Sequence, residues 1–418
     1  MKTVTVVKAD KTLFGKICLP SSKSISNRLL ILNALSVQQI GIQNLSESDD
    51  TILLAALLKI VREGYHGHPV ILDTGNAGTV MRFLTSLASI TPGKWIMTGS
   101  ERMKQRPIGA LIDALGSLGV EIEYLGDLGY PPLLIKGKAI KGSDISIDAA
   151  ISSQFISALL LIAPVIEGGL KIHLAGSVVS QPYIQMTLQL LQYFGIFTKT
   201  EGNAIIVPEH PIEAKNITVE ADWSSAAFWY EAAALADDVD LILEGLPKDS
   251  FQGDSIISEI FNDFGVKSEF LPDGIRLTKS KKKAGSCFFD FTGYPDIAPA
   301  IMTTCAALGI QAKWVGLKSL IIKESNRVEA LLAEFSKMML FRDSGLLSEQ
   351  DPVIELSSQS FTQGSDYTID TYKDHRIAMS FAPLALIFGR ININDPDVVK
   401  KSYPNYWNDM ISLGFEIS

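Results

Sequence analysis

Cysteine, histidine and long apolar runs are all scarce in this chain. Its three cysteines, Cys18, Cys287 and Cys305, are widely spaced in 418 residues, odd in number and without a Cys-x-x-Cys pair. That excludes a disulfide scaffold or a zinc ribbon and suits a reducing cytoplasm. No stretch reaches the roughly 18 uninterrupted apolar residues of a membrane span; the best run, residues 155–166, is short and carries Pro164. The opening Met1-Lys-Thr-Val-Thr-Val-Val-Lys-Ala-Asp has neither the apolar core nor the cleavage site of a secretory signal. Positive charge is in deficit, 37 Lys+Arg against 46 Asp+Glu for a formal −9. A nucleic-acid or anionic-membrane surface is therefore not the expected main role. Gly-x-Gly-x-x-Gly and Walker patterns are missing, so neither a dinucleotide cofactor nor nucleotide hydrolysis is implied. What remains, at 47% apolar and 20% charged residues, is a globular cytoplasmic protein with room for two or three domains.

An internal repeat organises the chain. Leu115-Gly-Ser-Leu-Gly-Val-Glu-Ile-Glu, Leu191-Gln-Tyr-Phe-Gly-Ile-Phe-Thr-Lys, Ile260-Phe-Asn-Asp-Phe-Gly-Val-Lys-Ser-Glu and Ile411-Ser-Leu-Gly-Phe-Glu-Ile each read as a helix ended by glycine and followed by a strand. A weaker copy runs from Leu57 to Tyr65, and residues 330–340 have helical spacing. The pattern predicts about six helix-to-strand units of roughly 70 residues, hence α/β or α+β layering in two similar halves. No linker composition marks a domain edge, and the run Lys279-Ser-Lys-Lys-Lys283 reads as a solvated turn.

The chemistry-bearing residues gather at probable helix starts. Leu19-Pro-Ser-Ser-Lys-Ser-Ile-Ser-Asn-Arg28 offers hydroxyls, backbone N–H groups, Lys23, Ser24 and Arg28 to a phosphate or carboxylate, or else is a Ser-rich capping loop. Asp73-Thr-Gly-Asn-Ala-Gly-Thr79 turns through Asn76 and Gly78 into a helix, and Arg102, Lys104 and Arg106 crowd the segment before Pro107. Ser152, Ser153 and Gln154, then Ser180 and Tyr183, precede two more apolar helices, as ligand contacts or as caps. Asp296 opens the segment 300–308, as a general base or merely a cap. Lys323, Glu324 and Arg327 lie on adjoining faces of a helix opening. Thr371-Tyr-Lys-Asp-His-Arg376 brings His375 and Arg376 to another start, where Asp374 could cap, and Lys400 and Lys401 precede a proline turn. His66-Gly-His68 has no carboxylate or cysteine nearby, so a metal is not expected there, and His173 and His210 carry no signal. An acidic chain that puts its cations beside Gly/Ser turns at helix starts is built for a small, multiply charged anionic ligand pair.

In this order the motifs Leu-Pro-Ser-Ser-Lys-Ser-x-Ser-Asn-Arg, Gly-Asn-Ala-Gly-Thr-x-x-Arg, Arg-Met-Lys-x-Arg-Pro-Ile, Ser-Ser-Gln-Phe, Ser-x-Pro-Tyr-Ile, Lys-Glu-Ser-Asn-Arg, Asp-His-Arg-x-Ala-Met and Lys-Ser-Tyr-Pro resemble the EPSP synthase family of enolpyruvyl transferases. The resemblance covers essentially the whole chain. It implies two similar domains, each of three βαβαββ units in an inside-out α/β barrel, joined by a two-stranded hinge. Residues 1–20 plus 222–418 would form the discontinuous, phosphoenolpyruvate-side domain and 21–221 the shikimate 3-phosphate side, the substrates meeting in a cleft that closes on binding. The implied reaction transfers the enolpyruvyl group of phosphoenolpyruvate to the 5-hydroxyl of shikimate 3-phosphate, on the way to chorismate and the aromatic amino acids. No metal or organic cofactor, no nucleic acid and no membrane would take part, and a monomer is expected.

Carried over by motif, the shikimate 3-phosphate contacts are Lys23, Ser24, Arg28, Ser152, Ser153, Gln154, Ser180, Tyr183, Asp296 and Lys323. The phosphoenolpyruvate contacts are Lys23, Gly78, Arg106, Gln154, Arg327, Arg376 and Lys401, with Asn76 and His375 as further candidates. Asp296 would take the hydroxyl proton, and Glu324 with Lys23 would protonate the methylene carbon. The chain departs from the family pattern at Ser21 (usually Gly), Ser319 (often Asn), Ile321 (a cation) and Asn326 (Asp). Two rival readings differ in what they require. The sister transferase acting on UDP-N-acetylglucosamine carries Lys-Asn where Lys23-Ser24 stands, and a loop cysteine. A non-catalytic polyanion-binding scaffold would spread its cations over an open surface.

Overall fold

The computed structural model describes residues 2–65, 67–281, 285–338, 352–357 and 366–418. His66 of the histidine pair, Lys282 and Lys283 of the basic run, and residues 339–340 of the last helical stretch lie outside the described residues. The chain forms two compact units, Met1–Ser22 with Glu220–Ser418, and Lys23–Val219. Its two crossings are paired. Ser22 N donates to Glu220 O at 2.9 Å and Asp222 N to Pro20 O at 2.8 Å, and Ser21 forms an antiparallel bridge with Ala221.

In the discontinuous unit, strand Thr12–Cys18 runs parallel to Asp238–Glu244, which pairs antiparallel with Gly274–Lys279, itself antiparallel to Val266–Leu271. Helices Trp223–Leu235 and Ile257–Asp263 make the connections, so this is one βαβαββ repeat with the entire second unit inserted between its first strand and first helix. A second repeat closes through the chain start: Thr368–Ile369 is parallel to Arg390–Asn394, and Thr3–Val7 pairs antiparallel with both the latter and Glu416–Ile417. The third shows Ser286–Asp290 parallel to Gln311–Val315, with Ile354–Leu356 antiparallel.

The continuous unit repeats the same parallel–antiparallel–antiparallel order twice. One sheet is Val70–Asp73, Gly93–Thr98, Leu133–Gly137 and Glu121–Tyr124; the other is Asp144–Asp148, Leu170–Ala175, Ala204–Val207 and Lys199–Glu201. Its third repeat is reduced. Ile42–Gln43 pairs parallel with Ile217–Thr218, and among the described residues no hairpin completes that sheet. Nor does any of the sheets close into a barrel among those residues. The α/β class and the repeat thus stand, with this one unit shorter than three full copies per domain.

The repeated glycines do what their position demands. Gly119, Gly195, Gly265 and Gly414 end helices at φ 82, 86, 84 and 83°, a conformation that L side chains resist. The weaker copy differs: Gly64, at φ 86°, ends helix Asp49–Glu63, but the next strand begins only at Val70.

Each repeat sends its first helix inward. Trp223–Leu235, Ala298–Ala307 and His375–Phe381 are buried along their whole length and pack together. In the other unit Lys23–Leu35, Gly78–Ile90 and Ser153–Ile162 form the matching inner trio. A helix surrounded by protein must be apolar on every face, which explains their runs of Ala, Leu and Ile. Much of their polar chemistry stands in their first turns, and the polar side chains deeper in them, such as Arg28, Arg82 and Glu231, are buried. No helix among the described residues is long and apolar enough to cross a membrane.

Candidate active site

The candidate residues divide between the two units; Lys23, Gly78, Ser153, Gln154, His375 and Arg376 stand at the starts of inner helices, where unpaired N–H groups and the helix dipole favour anions, and the others lie on neighbouring connectors and helices. In the discontinuous unit the centre is Arg327, whose side chain is 1% exposed. Its Nε and Nη2 grip Asp374 at 2.8 and 3.3 Å, Nη2 also reaches Glu324 at 2.9 Å, and Nη1 reaches Asp296 at 3.3 Å. Burial alone would lower the guanidinium's proton affinity, but Asp374, Glu324 and Asp296 hold it above its ordinary value. Asp374 does two jobs. Its carboxylate caps helix His375–Phe381 by accepting from Arg376 N, and it anchors Arg327 from a fully buried position.

Asp296 is not a helix cap, since Ile297 holds that position for Ala298–Ala307. Its carboxylate meets Arg376 Nη2 at 3.1 Å, Arg327 Nη1 at 3.3 Å and Lys323 Nζ at 3.6 Å, while its carbonyl accepts from Arg376 Nη1 at 2.7 Å. Burial pushes this carboxyl up, and Arg376, Lys323 and Arg327 outweigh it, so the group lies well below the usual carboxylate range. Lys401 reaches Glu324 at 3.3 Å, while its neighbour Lys400 turns outward to Asp397 at 2.9 Å. Lys323, Arg327, Arg376 and Lys401 thus face Asp296, Glu324 and Asp374: cations held in place by carboxylates that an arriving anion could displace. His375 is buried, with Nδ1 3.6 Å from Asp374.

One detail corrects the sequence expectation. Lys323 and Glu324 are not in a helix opening; they lie in the connector between Lys318–Ile321 and Arg327–Lys337. Asn326 caps the second helix by accepting from Glu329 N at 3.3 Å, which keeps the preceding residues out of it. The other departures from the family pattern are quiet. Ile321 packs against the core, and Ser319 is buried.

In the continuous unit Lys23 is the first residue of its helix and pairs with Asp50 at 3.0 Å, both largely buried. Arg28, one turn further, donates to Thr187 Oγ1 at 2.7 Å, Ser24 O at 2.8 Å, and Ser157 Oγ and Tyr183 O at 3.1 Å, and stacks 5.4 Å over the Phe83 ring. Burial lowers it to about 10, so it stays charged at neutral pH. Ser152 caps helix Ser153–Ile162, and the Gln154 amide donates to Thr79 Oγ1 at 3.2 Å, tying two inner helix starts together. Ser153 is buried beside them. Ser180 does not cap with its side chain; it sits buried at φ 53°, a left-handed conformation that costs a non-glycine residue about 1–3 kcal/mol.

Arg106 is buried and donates to Asn76 O at 3.4 Å, whereas Lys104 pairs outward with Glu101 at 2.7 Å. Gly78 explains how Arg106 fits: a Cβ there would lie 2.5 Å from Nη2 of that guanidinium. Arg82 instead braces the loop, donating to Pro107 O at 2.7 Å and to Gly78 O at 3.3 Å.

Several neighbours escaped the sequence reading. Asp50 was hidden in an ordinary acidic helix start. Ser224 donates a short hydrogen bond to Asp254, and Asp222 caps the inner helix Trp223–Leu235. Burial, with Asp296 nearby, lifts the Asp254 carboxyl to about 6, against the Ser224 bond and Arg376. Nothing local in Gln252-Gly-Asp254 signals that placement.

A two-unit α/β protein with buried guanidinium–carboxylate clusters at its inner helix starts is one that handles small anions. Comparison with known proteins narrows the class. Residues 7–410 match the family model described as EPSP synthase (3-phosphoshikimate 1-carboxyvinyltransferase). A Bacteroides fragilis (strain YCH46) 3-phosphoshikimate 1-carboxyvinyltransferase is 43% identical over 417 residues, covering 99% of this chain and 98% of that protein. A Sulfurovum sp. (strain NBC37-1) protein of the same name is 34% identical over 437 residues, 99% of each. The EPSP synthase structure from Acinetobacter baumannii superposes with TM-score 0.75 at 23% identity over 100% of both chains, a likeness of fold. The chain belongs to the EPSP synthase family.

Proposed function

We propose that this chain transfers the carboxyvinyl group of phosphoenolpyruvate to the 5-hydroxyl of shikimate 3-phosphate, releasing phosphate. The observation that carries the reading is the Asp296–Arg327–Glu324 cluster: two carboxylates, one for each proton transfer, held on a single buried guanidinium. Asp296 accepts the hydroxyl proton, and Glu324, with Lys23, delivers a proton to the methylene carbon. Arg106, Arg327, Arg376 and Lys401, with Gly78 and Gln154, take phosphoenolpyruvate. Ser24, Arg28, Ser152, Ser153, Gln154, Ser180, Tyr183 and Lys323 take shikimate 3-phosphate. Addition gives a tetrahedral adduct, and loss of phosphate gives the enolpyruvyl ether.

The electrostatics support this division. Asp296 is too weak a base while Arg376, Lys323 and Arg327 all face it. Two substrates carrying about four or five negative charges draw those cations away and raise its proton affinity at the moment it is needed. A monomer in the cytoplasm is part of the same reading, and three widely spaced cysteines without a Cys-x-x-Cys pair suit that compartment. In a phosphate-release assay, turnover is expected only when phosphoenolpyruvate and shikimate 3-phosphate are both present. Turnover with UDP-N-acetylglucosamine as acceptor instead would reverse the assignment.

Gly78→Ala tests the Arg106 role separately. The added methyl forces the guanidinium away, so KM for phosphoenolpyruvate rises roughly tenfold, about 1.4 kcal/mol, while KM for shikimate 3-phosphate holds. Steady-state kinetics with each substrate varied in turn reads this out, and an unchanged phosphoenolpyruvate KM removes Arg106 from the site.

A further inference from the structure

Cys287 and Cys305, eighteen positions apart, bring their Sγ atoms to 3.6 Å. Cys287 lies on strand Ser286–Asp290 with its side chain turned inward and partly accessible, and Cys305 lies fully buried in helix Ala298–Ala307. Both are reduced. A disulfide needs the sulfurs about 1.5 Å closer. The segment between them carries Asp296 and the N-terminus of the inner helix, so a bond here would close a covalent loop around that residue.

We propose that Cys287 and Cys305 are a reversible dithiol–disulfide modification site, closed by a low-molecular-weight disulfide such as oxidised glutathione. The Cys287 thiolate, the accessible member, attacks one glutathione sulfur and expels a glutathione thiolate. The Cys305 thiolate then attacks Cys287 Sγ and expels the second. Two protein thiols lose two protons and two electrons, and one glutathione disulfide becomes two glutathione thiols. Because the thiolate is the nucleophile, closure quickens as pH rises.

The test uses the full-length protein incubated with oxidised glutathione, alkylated, digested without reductant and mapped by mass. The expected product joins the peptides of Cys287 and Cys305, leaves the exposed Cys18 outside any protein bridge, and reverts with dithiothreitol. Melting temperature rises on the order of 5 °C on oxidation, an effect that Cys287→Ser abolishes. A persistent glutathione adduct on Cys287, a bridge through Cys18, three unreacted thiols, or a melting shift that survives in Cys287→Ser each overturns the site. None of these readouts depends on turnover, so the result stands apart from the proposed reaction.

Discussion

Asp296→Asn is expected to lower kcat by about a hundred- to ten-thousandfold while shikimate 3-phosphate still binds. The amide keeps the shape of the carboxylate and can still accept from Arg376, Arg327 or Lys323, so the local fold survives. It offers no base for the hydroxyl proton. It also removes one negative charge from a set where Lys323, Arg327 and Arg376 are partly neutralised by Asp296, so phosphate-bearing ligands are bound at least as tightly as before. Calorimetric titration with shikimate 3-phosphate and single-turnover kinetics separate the two effects. Wild-type turnover in the variant removes Asp296 from the mechanism, and lost binding with intact folding overturns the expected separation of binding from turnover.

Helix starts are local events, so Asp296, Gln154, Arg376 and Lys23 were visible as polar groups preceding apolar runs, and the glycine-ended helices showed the repeat. Which helices lie inside was less visible, because Trp223–Leu235 and Gly78–Ile90 differ from amphipathic helices only in having no polar face. Long-range geometry was invisible. The pairs Lys23–Asp50, Arg327–Asp374 and Cys287–Cys305 join elements that chain spacing alone does not relate. Lys104 and Arg106, read as one basic cluster, face opposite ways because a short helix ends between them. The insertion of one unit into the other left no compositional trace either, since the crossings are short paired segments and not flexible linkers.

Glu231 carries a large expected effect on stability, outside the candidate site residues. It sits in the middle of the inner helix Trp223–Leu235, fully buried, and among the described residues neither carboxyl oxygen has a hydrogen-bond partner. Burial raises its pKa well above the ordinary carboxylate value of 4.5. The native state therefore holds a proton that the unfolded chain has released at neutral pH. Unfolding releases that proton, so stability falls as pH rises from about 4.5 towards the native value, by about 1.4 kcal/mol per pH unit. Glu231→Met removes the ionisable group and fills a similar volume with apolar atoms. The variant is expected to be more stable than wild type already near pH 4.5, where Met replaces an unpaired buried carboxyl, and its advantage in melting temperature widens by on the order of 4 °C per pH unit as pH rises from there towards the native pKa. Differential scanning calorimetry of both proteins from pH 5 to 8 measures the widening gap. A gap that stays constant across that range would mean that Glu231 is ionised in the folded protein and neutralised by a counter-charge.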